Sequence, residues 1–156
     1  MNAQAAVEGI RSLGLARVVT FLGFSDAGYD DEAKVRKTLL TELKNFDPSD
    51  TIVCSGATAE GIGMIYSLAV LQGFHTAGIV SSQALAEGVQ FSTQCEAVFV
   101  VDDNTWGGKQ ANECLSATSQ AVVDVSDVMI GIGGGAITRD ELEGGRKKGK
   151  TVRFHK

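Results

Sequence analysis

The chain of 156 residues is 44% hydrophobic and 21% charged, which is typical of one soluble globular domain spanning residues 1–156. Its formal net charge of −5 disfavours nonspecific binding to nucleic acid, which needs basic surfaces that neutralise phosphates. No apolar run reaches the roughly 18 residues of a membrane span, and no secretory signal is visible, so we expect a cytoplasmic protein with neither a membrane nor a nucleic-acid partner.

The cysteines do not point to a metal site or to a disulfide framework. Cys54, Cys95 and Cys114 are odd in number, and none of them belongs to a CxxC pair. We therefore expect no metal and no resident cofactor apart from a nucleotide or phosphorylated ligand.

The first half of the chain alternates apolar runs of strand length with patterns of helical spacing. The runs are rich in Val and Ile and lack a clean apolar–polar alternation, which predicts strands buried on both faces. In chain order we predict a weak helix over 3–12, a strand at 16–23, a helix over 30–46, a strand at 50–56, a helix over 58–74 and a strand at 75–81.

The second half repeats this alternation, so the whole chain is predicted to form an α/β fold. We expect three layers, in which a mostly parallel sheet of about six strands carries helices on both faces. In such sheets ligands bind beyond the carboxyl ends of the strands. The remaining predicted elements are a loop or short helix at 82–91, a strand at 96–102, a helix over 109–126, a strand at 127–133, a helix over 138–149 and a strand at 150–155.

Two glycine-rich loops follow predicted strands and lead directly into predicted helices. They read CSGATAEGIGM (54–64) and IGIGGGAITRDEL (130–142). Free backbone N–H groups at a helix N-terminus receive phosphate or another anion, because these donors and the helix dipole point the same way. Both loops are therefore predicted to hold a ligand. The alternative is that their glycines only turn the chain and pack helices against the sheet.

Several well-known fingerprints are absent or incomplete. The sequence contains neither a GxxxxGK[ST] phosphate loop nor a GxSxG nucleophile elbow. Residues 131–136 read GxGxxA, but a dinucleotide site has this motif near its first strand rather than its fifth. We therefore do not expect an NAD site.

The string TRDE at 138–141 allows two interpretations. It is a capping box, in which Thr138 caps a helix and the Glu141 carboxylate accepts from the Thr138 N–H. Alternatively, Glu141 faces a ligand, where a carboxylate stabilises developing positive charge or activates water.

The two loops, in this order on this pattern, resemble the Rossmann-like superfamily of the cytokinin-activating phosphoribohydrolases. Its members are often described as lysine decarboxylase-like, and DNA-processing protein A is a more distant relative. The family motif PGGxGTxxE is matched by GGGAITRDE, with Gly133 in place of the proline and Ile137 in place of the third glycine. VVTFLGFSDAG is similar to the family's first strand and loop, and IVCSGATAEGIGM to a later glycine-rich loop and helix start.

The resemblance implies a ligand site and a homodimer, with residues 58–74 as a candidate contact surface. In the family the late glycine loop and its Thr hold the 5′-phosphate of a nucleoside monophosphate, and the Glu of the motif assists cleavage of the bond between base and ribose. The resemblance therefore implies that Glu141 is the catalytic acid. At the position of a family Arg this chain has Thr118, which favours binding without hydrolysis unless Lys109 moves in. The predicted ligand-binding residues are Gly23, Ser25, Gly56, Ala57, Thr58, Gly61, Trp106, Gly133, Gly134, Gly135 and Thr138.

The loop VVDDNTWGGKQ (100–110) carries the only tryptophan of the chain. Trp106 has two possible roles. It stacks on a base, or it only covers the sheet edge or forms a dimer contact. Asp102 and Asp103 either bond ribose hydroxyls or form the turn.

Three functions are open from the sequence. The favoured one is binding of a nucleotide or related phosphorylated small molecule. The alternatives are a phosphoribohydrolase that cleaves the N-glycosidic bond of nucleoside 5′-monophosphates, and a structural or interaction protein without a ligand. The acidic loops at 26–32 and 102–103 favour a monophosphate, because they repel further phosphates.

Overall fold

Helices and strands alternate along the chain in the computed structural model, which describes residues 1–156. The helices are α1 (Ala3–Arg11), α2 (Glu32–Leu43), α3 (Met64–Leu71), α4 (Ser82–Ala86), α5 (Ala117–Val125) and α6 (Ala136–Lys147). The strands are β1 (Arg17–Gly23), β2 (Thr51–Ser55), β3 (His75–Ser81), β4 (Ala97–Val101), β5 (Val128–Ile132) and β6 (Thr151–His155), and a 3-10 turn (Gly61–Gly63) precedes α3.

All six strands lie parallel in one sheet of order β4-β3-β2-β1-β5-β6. The chain builds outward from β1 to β4 and then crosses back to place β5 on the other side of β1, where Phe21 pairs with Ile130. The loops leaving β1 and β5 therefore diverge, and open α/β sheets bind ligands at such a switch point. The predicted three-layer α/β fold is confirmed.

Each face of the sheet carries three helices. One face packs against α2, α3 and α4, where Phe21, Leu39 and Ile65 belong to one buried apolar cluster. The opposite face packs against α1, α5 and α6, with Ile10 and Met129 in the second cluster. Burying each side chain of this size contributes about 1.5–3 kcal/mol, which explains why runs without alternation form the central strands.

Two predicted helices are shorter in the structure than their patterns suggested. The helix predicted over 58–74 begins only with the 3-10 turn at Gly61, whose φ of 59° excludes a regular helix before it, and its α-helical part is α3. The helix predicted over 109–126 begins only at Ala117. Residues 102–116 instead form an irregular segment, in which Gly107, Gly108 and Glu113 have positive φ values. Left-handed backbone interrupts a right-handed helix, which fixes the later start.

None of the helices combines the length and the apolar character that a membrane span requires. The face of α3 that is turned away from the sheet exposes Leu71, whose exposed fraction is 81%. Homodimerisation through this region and the cytoplasmic location stay predictions.

Candidate functional site

A cleft of about 540 Å³ opens at the carboxyl ends of the strands, over the switch point between β1 and β5. Its walls come from the loops after β1 and β2, the end of β3, the segment after β4, and the first turns of α5 and α6. More than half of the lining residues are hydrophobic, and the only charged ones are Asp26 and Glu141. The cleft therefore suits a largely apolar or heterocyclic group rather than a highly charged one.

The loop after β5 presents a row of backbone donors. Gly133 and Gly134 have φ values of 60° and 103°, a region that glycine reaches without strain. A Cβ atom on Gly134 would also lie 2.6 Å from Oγ1 of Thr138. The resulting turn leaves the N–H groups of residues 134–138 without a hydrogen-bond partner in the protein, at the N-terminus of α6. Such a row of donors suits an anion.

The predicted capping box at Thr138 and Glu141 is wrong. The N-cap of α6 is Gly135, so Thr138 already lies in the first turn, where its hydroxyl donates to the Gly23 carbonyl at 3.4 Å. The Glu141 carboxyl accepts from Ser119 and not from the Thr138 N–H. Because the helix begins earlier than the pattern suggested, Glu141 turns inward toward α5.

The loop after β1 is fastened to the end of β5 by Tyr29. The Tyr29 hydroxyl accepts from the Phe24 N–H at 3.0 Å and donates to the Ile132 carbonyl at 2.6 Å. Burial raises the pKa of Tyr29 to about 12, so the phenol stays a donor. A side chain at Gly23 would overlap this hydroxyl, which explains the glycine there. The bond to β5 holds Ser25 at the rim of the cleft.

Residues of the loop after β2 have two different roles: some line the cleft, and others set the shape of the loop. Gly56 and Thr58 line the cleft. Ala57 is fully buried with a left-handed φ of 67°, and its N–H donates to the Tyr66 hydroxyl at 2.9 Å. Gly61 lies against the carbonyl of Phe24, which accepts from the Ile62 N–H at 2.7 Å. Ala57 and Gly61 therefore set the path of the loop and do not line the cleft.

Glu141 is a buried acid in the wall of the cleft. It is 6% exposed, and its Oε2 accepts from the Ser119 hydroxyl at 2.7 Å. Burial raises the pKa of Glu141 to about 7, although the hydrogen bond from Ser119 lowers it. Both protonation states are therefore populated near neutral pH. A carboxyl with these properties is typical of functional sites.

Trp106 lines the cleft from the segment after β4 and is 50% exposed. Asp103 anchors this segment, because its Oδ2 accepts from the N–H and the hydroxyl of Thr118 at 3.1 and 2.7 Å. Burial raises the pKa of the Asp103 carboxyl, but hydrogen bonds from Thr118 and Thr105 outweigh burial and lower that pKa overall. Asp102 pairs with the amino group of Met1. Both aspartates thus organise the segment itself.

No basic side chain lines the cleft. Thr118, at the family's Arg position, is held by Asp103, and Lys109 does not take its place. The Lys109 ammonium pairs with Glu143 at 3.2 Å instead. No group of three or more His, Cys, Asp or Glu side chains is arranged to hold a metal ion.

A second cavity of about 340 Å³ lies on the other side of the glycine loop. It shares Gly135 and Thr138 with the cleft and is lined by Arg139 and Arg146, which stand two turns apart on α6. Neither guanidinium forms an ion pair in the protein. The donors of the loop thus have positive charge on one side and the largely apolar cleft on the other.

The predicted site residues fall into three groups. Gly133 and Gly134 line the second cavity, and Ala57 and Gly61 line neither cavity. Sequence reasoning missed Ser119, Tyr29 and the two arginines, because only the tertiary arrangement of α5, α6 and the loop after β1 brings them to the site. The predicted residues that line the cleft are Gly23, Ser25, Gly56, Thr58, Trp106, Gly135, Thr138 and Glu141.

The fold and the cleft define a Rossmann-like α/β protein with its candidate site at the switch point of a parallel sheet. No protein-family model matches the chain, and no curated protein does. The resemblance to the phosphoribohydrolases and DNA-processing protein A therefore stays a prediction, while solved structures show the Rossmann-like fold itself.

Two of these solved structures are of the molybdenum cofactor carrier protein from Chlamydomonas reinhardtii. One matches with a TM-score of 0.61 at 17% identity, covering 88% of this chain and 75% of the other. The second has a TM-score of 0.63 at 15% identity, covering 89% and 75%. The structural-genomics target TM1055 matches with a TM-score of 0.58 at 16% identity, covering 87% and 72%. At these identities the likeness is one of fold.

Proposed function

We propose that this protein binds a nucleotide or related phosphorylated small molecule in the cleft. The observation that carries the proposal is the row of unpartnered N–H groups at residues 134–138, placed at a helix N-terminus on the border of the cleft. A phosphoryl group at this loop would receive several charge-assisted hydrogen bonds and the field of the helix dipole. Arg139 and Arg146, across the shared loop, add positive potential.

The organic part of the ligand would lie in the 540 Å³ cleft. Its largely hydrophobic lining, with Phe24, Ile62 and Trp106 among the larger side chains, suits a flat heterocycle. Ser25 and Thr58 supply polar groups at the rim. The only charges there are two carboxyls, which disfavour further phosphates and favour a neutral or amine-bearing ring.

Gly135→Asp tests the phosphoryl position. A Cβ at Gly135 meets no atom within 4 Å, and Asp is a favourable N-cap, so its carboxylate can accept from the next N–H groups of α6. This internal anion should weaken AMP binding by about 100-fold, roughly 2.7 kcal/mol, because it occupies the donors and repels phosphate. The measurement is calorimetric titration with AMP.

Gly135→Ala is the matched control, because it adds carbon in the same place without an acceptor. It should keep most of the affinity. Gly135→Asp should unfold at or above the wild-type temperature, whereas Gly135→Ala should lose up to about 1 kcal/mol of stability, because Ala is a poorer N-cap than Gly. Equal AMP affinity in the aspartate variant and the wild type would place the phosphoryl group elsewhere and reject the proposal.

Trp106→Ala tests the stacking role predicted from the sequence. Base–aromatic stacking contributes about 1–3 kcal/mol per base, so AMP affinity should fall by roughly tenfold or more. Because Trp106 is half exposed, the variant should remain as stable as the wild type. Trp106→Phe keeps a ring and should lose less affinity; identical affinities in all three proteins would assign Trp106 to a surface or dimer contact.

A second candidate function is hydrolysis of the N-glycosidic bond of a nucleoside 5′-monophosphate. The observation that favours it is the buried Glu141 carboxyl with a pKa of about 7 in the cleft wall. Adenine released from AMP by the wild type, and not by Glu141→Gln, would support hydrolysis. Saturable binding without adenine release would leave a binding or carrier function, such as the neighbour's name describes for the molybdenum cofactor. No heat with any phosphorylated ligand would favour the structural alternative.

A further inference from the structure

Ser119 stands between the segment that carries Trp106 and the Glu141 carboxyl. It is fully buried on α5. Its Oγ accepts from the Gly108 N–H at 2.7 Å and donates to Oε2 of Glu141 at 2.7 Å. Because a serine hydroxyl has one proton, and Glu141 is the only acceptor that Ser119 Oγ reaches, that proton is directed at Oε2.

The two oxygens of Glu141 are therefore not equivalent. Oε2 is occupied by Ser119, while Oε1 has no hydrogen-bond partner in the protein. No side-chain oxygen is both sealed from solvent and without a partner, so Oε1 reaches the open space of the cleft that Glu141 lines. When the carboxyl takes up a proton, Oε2 is already accepting one, and the added proton belongs on Oε1.

The same serine is tied to the ligand-side segment. Gly108 is two residues from Trp106, and Thr118, next to Ser119, is held by Asp103 at the start of that segment. The Ser119 N–H itself donates to Ser116 Oγ at the N-cap of α5, which fixes the start of the helix. Two hydrogen bonds of 2.7 Å thus connect the segment around Trp106 to the Glu141 carboxyl.

We propose that Ser119 is the positioning residue of Glu141: it holds Oε2, so that Oε1 alone meets a bound ligand, and it couples this carboxyl to the segment that carries Trp106. The ligand side of this inference rests on the proposed function. This positioning implies that Glu141 contacts a single ligand atom. That ligand atom accepts a hydrogen bond when the carboxyl is protonated and donates one when the carboxyl is ionised. Bidentate hydrogen bonding of the Glu141 carboxyl to a base edge is thereby excluded.

The ionisable groups around Glu141 are few. Asp140 precedes it on α6 and raises its pKa, Cys54 lies on β2 with a pKa that burial raises to about 12, and Asp26 lines the cleft. Asp103 is held by Thr118, and Lys109 by Glu143. Between pH 5 and 9, Glu141 is therefore the group in the cleft wall whose titration Ser119 controls.

The test follows the Glu141 carboxyl directly, by carbon-13 NMR titration of the whole protein, with Glu141→Gln to assign its signal. Ser119→Ala removes a hydrogen bond to the ionised form, so the midpoint should rise by about one pH unit. Ser119→Cys keeps the shape of the side chain with a weaker donor, so its Glu141 midpoint should lie between those of the wild type and Ser119→Ala. Ser126→Ala is the matched control: this serine is also fully buried with two short hydrogen bonds, at the other end of α5, and its loss should leave the midpoint unchanged.

Trp106 fluorescence supplies the coupling readout. In the wild type the emission should titrate with the Glu141 midpoint, and AMP affinity should change through the same pH range. In Ser119→Ala the fluorescence titration should disappear, because the link from Glu141 to the Trp106 segment is removed, while the pH dependence of AMP affinity should move with the raised Glu141 midpoint. Ser126→Ala should keep both dependences as in the wild type. An unchanged Glu141 midpoint in Ser119→Ala and Ser119→Cys would overturn the positioning role. A shifted midpoint without AMP binding would support that role and reject the proposed ligand, so the two failures are distinguishable.

Discussion

Glu42→Ala is expected to lower the free energy of unfolding by about 2–3 kcal/mol. Glu42 is 5% exposed on α2, and its carboxylate accepts from Arg153 at 2.7 and 3.1 Å. His155 Nε2 lies 2.9 Å from the same carboxylate. Removing the carboxylate leaves both β6 side chains without their partner, and the half-exposed position of those partners keeps the loss below that of a fully buried pair.

The measurement is urea unfolding at neutral pH, with Glu32→Ala as the control. Glu32 is an exposed acid in the first turn of the same helix, so its loss should cost less than about 1 kcal/mol. Equal stability of the two variants would show that the cluster around Glu42 does not hold β6 in place.

This cluster also supports the candidate site. The His155 carbonyl accepts from the Gly133 N–H at 2.8 Å, so a hydrogen bond to β6 fixes the start of the glycine loop. Releasing β6 from α2 should therefore weaken AMP binding as well as stability, although Glu42 lies outside both cavities. An effect on stability alone would indicate that the loop keeps its shape without β6.

The central strands were predictable because each is a largely apolar run. β1 and β3 agree with the predicted bounds to within one residue, since central parallel strands need no polar alternation. The segment 102–116 was not predictable in the same way. Its residues have moderate helical spacing, but the positive φ values at Gly107 and Gly108 and the capping of α5 by Ser116 depend on tertiary contacts.

The glycine loops were placed at the site by topology, because loops after parallel strands meet at one edge of the sheet. The role of Glu141 was not readable from spacing, since TRDE satisfies a capping box as well as a ligand site. Only the start of α6 at Ala136 decides between them. The arginines of the second cavity lie two turns apart on α6, and nothing in the sequence shows that this face borders the glycine loop.

The largest pH-dependent effect is expected at Glu141. The folded protein raises its pKa from 4.5 to about 7 by burial, so the folded state binds the proton more tightly than the unfolded chain does. This contribution to stability is fully present below pH 4.5 and is lost as the pH rises through 7. A shift of this size corresponds to roughly 3 kcal/mol, because Glu141 is buried and little screened by solvent.

Glu141→Gln removes this titration while keeping an oxygen that can accept from Ser119. Relative to the wild type, the variant should therefore gain stability steadily between pH 4.5 and 7 and hold that gain, of about 3 kcal/mol, at pH 8 and above. Urea unfolding of both proteins from pH 4 to 9 gives the difference curve. A flat difference across this range would mean that Glu141 titrates at an ordinary pKa.

Glu143→Gln is the control of opposite sign. Hydrogen bonds from Lys147 and Lys109 lower the pKa of this surface acid below 4.5, so its contribution is fully present above pH 4.5 and is lost only as the pH falls below it. If the Glu141→Gln curve rises between pH 4.5 and 7 while the Glu143→Gln curve stays flat there, the fold holds at Glu141 an ionisable acid that an amide would replace with a gain in stability at neutral pH. A carboxyl that destabilises the protein where it is ionised, and whose Oε1 opens on the cleft, is a feature that the proposed ligand would explain and that packing does not.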